Sequence, residues 1–349
     1  MSLVDDAKAE QGNDDLRAAL NRALRHLEEA KASRAELVEA VYRAAHDAAS
    51  AFVWTPILAP NRKAARNSEV AVVVMSDWQL GKRTTAPAFD SGSSYNSEVC
   101  EARIREYAQK VSLLTAIQRA DHPVNECHVW LLGDLVEGEL IFPGQSHRID
   151  ASLYRQVALD GPRILGDLLR FLLADFERVH VSAVIGNHGA IGGPVRREMH
   201  PESNADLMLY RIVADRFTDE PRITFDIPEP VGERSWYTVD HIGNYSALLF
   251  HGDQVRGGFA GMPFYGFYKA INGWASGAIR EPFGDAACGH WHQHATLTFN
   301  RRILRVNGST ESYNTWAQEE LKAMGDPSQR LMFVHPENGQ VTAEYQVYL

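Results

Sequence analysis

"VAVVVMSDWQLGK", residues 70–82, opens with six apolar residues, four of them Val, and stops abruptly at Ser76-Asp77. A run this short and this β-branched reads as a strand covered on both faces, where the usual apolar/polar alternation is lost. Two runs of the same kind follow, "HVWLLGD" (128–134) and "VHVSAVIGNH" (179–188). The segments between and after them, roughly 97–119, 152–176 and 205–217, read as amphipathic helices, so strands and helices alternate as in an α/β layer architecture. The chain then turns mostly β. "SWYTVDHIGNYSALLF" (235–250) has a hairpin turn at Gly243-Asn244 and "FVHPENGQVTAEYQVYL" (333–349) another at Asn338-Gly339. A glycine-rich, aromatic stretch, "RGGFAGMPFYGFYKAINGWASG" (256–277), separates the two parts.

Upstream, residues 14–49 are rich in Ala, Leu, Glu and Arg without Gly or Pro, which predicts a helix. Leu16, Leu20, Ala23, Leu27, Ala30, Arg34, Leu37, Val41, Ala44 and Ala48 lie on one seam of alternating four- and three-residue steps, apolar except at Arg34. Such a seam suits a homo-oligomer or a partner helix, although its alanines bury little area per turn and packing on its own domain fits as well. The expected organisation is a helical segment over 1–55, a proline-containing linker over 56–68 and one domain over 69–349.

With 349 residues, 45% hydrophobic and 23% charged, the chain can bury a sizeable core. No apolar run approaches the ~20 residues that span a bilayer, and the N-terminus is polar and acidic, so a soluble, cytoplasmic protein without a membrane partner is expected. Three cysteines, Cys100, Cys127 and Cys288, form no CxxC pair and suggest neither a disulfide framework nor a thiolate zinc site. A net charge of −10 argues against indiscriminate affinity for phosphate backbones while leaving room for a local cationic cleft or bound cations. The compact basic runs, "PVRR" (194–197) and "RRILR" (301–305), read as solvated loop and strand-edge positions.

Function in open α/β sheets gathers beyond the carboxyl ends of the strands. Here those ends carry Asp77 and Gln79, then Asp134, then Asn187 and His188, then His251, and finally His290 and His292. One Asp after a strand is usually a helix cap, and one His usually a satisfied core group. Five such motifs in succession point instead to carboxylate, amide and imidazole ligands for Mn²⁺, Fe, Zn²⁺ or Ni²⁺.

The ordered set "SDWQLGK", "GDLVEGE", "GNHG", "HGD" and "GHWH" resembles the calcineurin-like metallophosphoesterase superfamily over about residues 67–310. The chain is also similar to phage-encoded members of the double-strand-break-repair nuclease type. The resemblance implies a two-sheet α/β/β/α sandwich holding two divalent metal ions, Mn²⁺ foremost, that hydrolyse a phosphoester, with nucleic acid among the candidate partners. It places Asp134 as the bridging ligand, with Asp77, Gln79 and His292 on the first metal and Asn187, His251 and His290 on the second. His188 falls at the general-acid position, and a metal-activated water attacks phosphorus in line. Gln79 departs from the family's His and makes the first site the weaker one. Lys82 and Arg83 read either as substrate-phosphate contacts or as solvated loop charges. Glu137 and Glu139 read as ligand-orienting or helix-start acids. Tyr265, Phe267 and Tyr268 read as a stacking wall or as the packed face of a helix. A small-molecule phosphomonoesterase, a cyclic-nucleotide phosphodiesterase and a scaffold with a vestigial site are the alternatives.

Overall fold

The computed structural model describes residues 25, 39, 43, 57–58, 67–85, 94–192, 200, 202–229, 236–256, 261–312 and 325–349. The chain divides into two compact units, 1–44 and 45–349. In the first, Arg25, Glu39 and Arg43 are helical, and Arg43 pairs with Glu39 one turn away. The apolar seam, most of the expected linker and the "PVRR" run lie outside the described residues.

The second unit carries two sheets. The first has six strands in the order β11-β10-β1-β2-β3-β4. Its parallel core is β1 (Glu69–Met75), β2 (Val124–Leu131), β3 (Arg178–Ala183) and β4 (Ile223–Asp226). The hairpin β10 (Ser328–His335) and β11 (Gln340–Tyr348) adds antiparallel to β1. The second sheet runs β5-β6-β7-β9-β8. It comprises β5 (Tyr237–Ile242), β6 (Tyr245–Phe250), β7 (Asp285–Cys288), β8 (Ala295–Phe299) and β9 (Arg302–Val306), with β6, β7 and β9 parallel.

Every residue of β1 is buried, because successive side chains leave opposite faces of the strand and both faces are covered. Val70, Val72 and Val74 join Trp130, Leu132, Ala247, Leu249, Ala287 and Met332 in the core between the two sheets. Helix α1 (Ser97–Gln118) is capped by Asn96, whose side chain accepts from Val99 N at 2.8 Å. A π-helical turn, residues 155–160, leads into α2 (Gly161–Asp175), which carries Pro162 in its first turn. Helix α3 (Ala205–Arg216) is capped by Asn204. The outer face of the second sheet buries Leu248, Phe250, Ala286, Cys288 and Leu304 against Phe267 and Ile271 of α4 (Phe264–Gly273). The layers are those of the expected sandwich.

Several expectations shift. Strand β3 stops at Ala183, so Gly186-Asn187-His188 belong to the loop beyond it. The "RRILR" run is not a solvated edge, since β9 is paired on both sides. Arg305 within it is 3% exposed and pairs with Asp285 at 2.7 Å and Glu344 at 2.8 Å. The three cysteines are free and buried, and among the described residues no helix is long and apolar enough to cross a membrane.

Candidate metal centre

The strand-end residues converge. The loops after β1, β2 and β3 deliver Asp77, Gln79, Asp134, Asn187 and His188, and those after β6 and β7 deliver His251, His290 and His292. Their backbone is unusual. Seven described non-glycine residues have positive φ: Asp77, Gln79, Asp134, His290 and His292 at the site, and Asn67 and Asn300 elsewhere. Left-handed backbone costs ordinary residues free energy and persists where packing over-determines it, commonly at functional sites. Those five residues lie in the loops after β1, β2 and β7. Two glycines permit the crowding: a Cβ at Gly186 would overlap the Asp134 carboxylate, and one at Gly289 the Asp77 carboxylate.

One half of the site is tightly drawn together. His251 Nε2 lies 3.0 Å from Asp134 Oδ2, 3.1 Å from Asn187 Oδ1 and 3.2 Å from His290 Nδ1. Donor atoms on a tetrahedron with bonds of ~2.0–2.1 Å are about 3.3 Å apart, so one cation fits among these four groups. His251 Nδ1 lies 2.7 Å from Leu132 O, which fixes the ring with its other nitrogen turned to the cluster.

The other half centres on Asp77. Its Oδ1 is 3.3 Å from His292 Nε2, and His292 Nδ1 is 3.2 Å from Glu311 Oε2, the carboxylate–imidazole arrangement that orients metal-binding histidines. Gln79 Nε2 donates to Asp134 Oδ2 at 3.5 Å, while Gln79 Oε1 is buried with no hydrogen-bond partner. An orphaned buried amide oxygen on a side chain that reaches Asp134 is what a cation would satisfy. The donors Asp134, His251 and His290 are therefore grouped as a metal ion would require, with Asp77, His292 and Gln79 in the neighbouring loops. An amide oxygen binds Zn²⁺ or Fe less well than an imidazole does, which makes the Asp77 half the weaker.

Charge explains the protonation pattern. Burial opposes charging His251 and His292, but Asp134 and Asp77 outweigh it, raising His251 well above its usual value and His292 to about 10. His290 is depressed to about 3 by burial and by the neighbouring His251 charge. Burial pushes Asp134 up, and the surrounding histidines more than reverse this.

His188 stands beside the donors. Its backbone N–H donates to Asp134 Oδ1 at 2.7 Å, and its Nδ1 is 3.2 Å from Glu137 Oε2 and from Glu137 O. Nδ1 is thus held and Nε2 left to act. Burial lowers the His188 pKa, but Asp134 and Glu137 raise it by more, so the ring tends to keep its proton.

Of the flanking residues, Lys82 pairs with Glu311 at 2.6 Å and is therefore tied to the His292 support. Exposed Arg83 donates to His147 O at 3.4 Å. Glu139 instead accepts from Leu153 N. Phe267 is fully buried, whereas Tyr265 and Tyr268 are exposed, so α4 both packs and presents aromatic rings. Trp78 is fully buried, and Trp291 packs edge-on to His290. Glu311 and Asp206 escaped the sequence reading. The first looks like any loop acid in "NGSTES", and the second like an ordinary first-turn helix acid.

No protein-family model matches the chain, and no curated protein matches it by sequence. Solved structures similar to it include an archaeal phosphodiesterase at 12% identity, covering 79% of this chain and 99% of that one with a TM-score of 0.36. Vacuolar protein sorting 29 from Cryptosporidium parvum is 14% identical over 81% and 100% of the two chains, with a TM-score of 0.36. Zn²⁺-bound Vps29 from Entamoeba histolytica is 14% identical over 79% and 98%, with a TM-score of 0.31. Likenesses this distant fix no activity, and the chemistry follows from the side chains themselves.

Proposed function

We propose that the protein is a metallophosphoesterase of the calcineurin-like kind that hydrolyses phosphodiester bonds through two divalent cations. The observation that supports this reading is the donor group Asp134, His251 and His290, joined by Asn187, with the Asp77–His292 pair beside it and linked to Asp134 through Gln79. Bound there, the cations supply Lewis acidity at phosphorus and a nucleophile at neutral pH. The chain's own residues do the rest. Glu137 holds His188 Nδ1, so His188 keeps a proton at Nε2 for the departing oxygen. Glu311 holds the His292 ring and neutralises Lys82.

Mn²⁺ suits the mixed carboxylate, amide and imidazole set. Nucleic acid is the proposed diester, in a cytoplasmic setting. The test is hydrolysis of bis-p-nitrophenyl phosphate beside p-nitrophenyl phosphate with Mn²⁺ and after chelation, followed by labelled DNA and RNA. Turnover of the diester, lost on chelation, is expected. Monoester turnover alone points to a phosphomonoesterase, and metal binding without turnover of either ester leaves a scaffold.

Gln79→His should strengthen the Asp77 half. Imidazole is the better donor, and His tolerates the φ of 50° at this position more readily than Gln does. A roughly 10-fold tighter metal step is expected in a calorimetric titration. Unchanged affinity would show that residue 79 is no ligand.

A further inference from the structure

A second group of metal-binding side chains lies away from this centre: His128 on β2, His180 beside it on β3, and Asp240 on β5 of the other sheet. Their donor atoms lie within 4.8 Å of one another. His128 Nδ1 is 2.7 Å from Asp240 Oδ2, and His180 Nε2 is 3.7 Å from Asp240 Oδ1. These separations bracket the ~3.3 Å expected between donors on one tetrahedral cation.

The nitrogens turned away from Asp240 are also held. His128 Nε2 is 3.5 Å from Glu126 Oε1, and His180 Nδ1 is 2.8 Å from Thr224 Oγ1. Metal-binding histidines are oriented in this way, one nitrogen on the metal and the other on a carboxylate or another acceptor. Asp240 is itself oriented by Trp130 Nε1–H, which donates to Oδ2 at 2.6 Å. His128 and Asp240 are buried and His180 is half-buried, so the group reaches solvent on its His180 side.

We propose that His128, His180 and Asp240 form a separate binding site for one Zn²⁺-like transition-metal ion, which ties β2 and β3 of the first sheet to β5 of the second. Two imidazoles and a carboxylate, with no thiolate, select a borderline cation such as Zn²⁺ or Co²⁺ over Ca²⁺ or Mg²⁺. The site shares no residue with the Asp134 centre and does not depend on the activity proposed for it.

The test compares the full-length native chain with His180→Ala and His180→Cys, each stripped with chelator, reloaded with Zn²⁺, desalted and analysed for metal content. Whatever the Asp134 centre holds, the native chain should carry one more zinc per chain than His180→Ala. His180→Cys should regain it and, with Co²⁺, show a thiolate charge-transfer band. Zinc should raise the melting temperature of the native and His180→Cys chains more than that of His180→Ala. Far-UV circular dichroism of the three chains controls for folding. Equal zinc content in native and His180→Ala chains overturns the proposal, as does failure of a folded His180→Cys chain to recover the ion.

Discussion

Asp134→Asn should lower kcat for the diester at least about 10³-fold, which corresponds to roughly 4 kcal/mol in the barrier. The reason is local. Asp134 is 1% exposed, and its two oxygens do different work: Oδ2 faces His251 and Gln79, while Oδ1 accepts the His188 backbone N–H. An amide of the same shape can supply only one acceptor oxygen, so either His188 or the His251 side meets an N–H instead. It also removes the negative charge shared by the two proposed cations, whose mutual repulsion then goes uncompensated. Metal content measured beside the rate separates the causes. Loss of both metal and rate is the expected result. A folded variant that keeps native turnover would remove the two-cation reading altogether, because no other described carboxylate is placed between the two donor sets.

The sandwich was legible where burial is two-sided. Strand β1 announces itself because both its faces are covered, leaving an unbroken run of Val, Ala and Met, and β2 and β3 do so through the apolar residues at their carboxyl ends. The two hairpins were legible in Gly243-Asn244 and Asn338-Gly339, which supply the turn conformations. Strand β4 was not, since it has only four residues and "ITFD" has no period to read, whereas β7, equally short, was placed by the "GHWH" that follows it. Strand β9 was misjudged because its arginines look solvated until Asp285 and Glu344 are brought alongside Arg305.

At the site, the strand-end rule found the donor residues but not what steadies them. Glu311 meets His292 and Lys82 across long separations in the chain, and no local spacing signals that. The same holds for Asp240, which reaches His128 from 112 positions away.

Asp206 makes the strongest case for a residue visible only in three dimensions, and Asp206→Ala should destabilise the fold by about 3 kcal/mol, lowering Tm by roughly 5–10 °C. Asp206 is fully buried at the start of α3, and its carboxylate accepts four backbone N–H groups. Oδ2 takes Asp134 N at 2.8 Å and Gly186 N at 2.9 Å, and Oδ1 takes Leu135 N at 3.0 Å and Val136 N at 3.3 Å. The adjacent Asn204 donates to Gly186 O at 3.0 Å, so the start of α3 clasps the loops after both β2 and β3. Without the carboxylate those donors are left buried, at roughly 1–3 kcal/mol for each that water does not reach. Two effects offset part of the loss. Water can enter the vacated space, and Asp206 no longer repels Asp134; burial and that charge together push the Asp206 carboxyl up to about 6. The balance sets the estimate near the cost of one or two orphaned donors rather than four. Thermal unfolding of Asp206→Ala beside Asp206→Asn, which keeps one acceptor oxygen, is the measurement. The order native, Asn, Ala in falling Tm is expected, with diester turnover lost in Ala. A melting temperature for Ala within about 2 °C of native would mean that the loops hold Asp134 and Asn187 in place without the clasp.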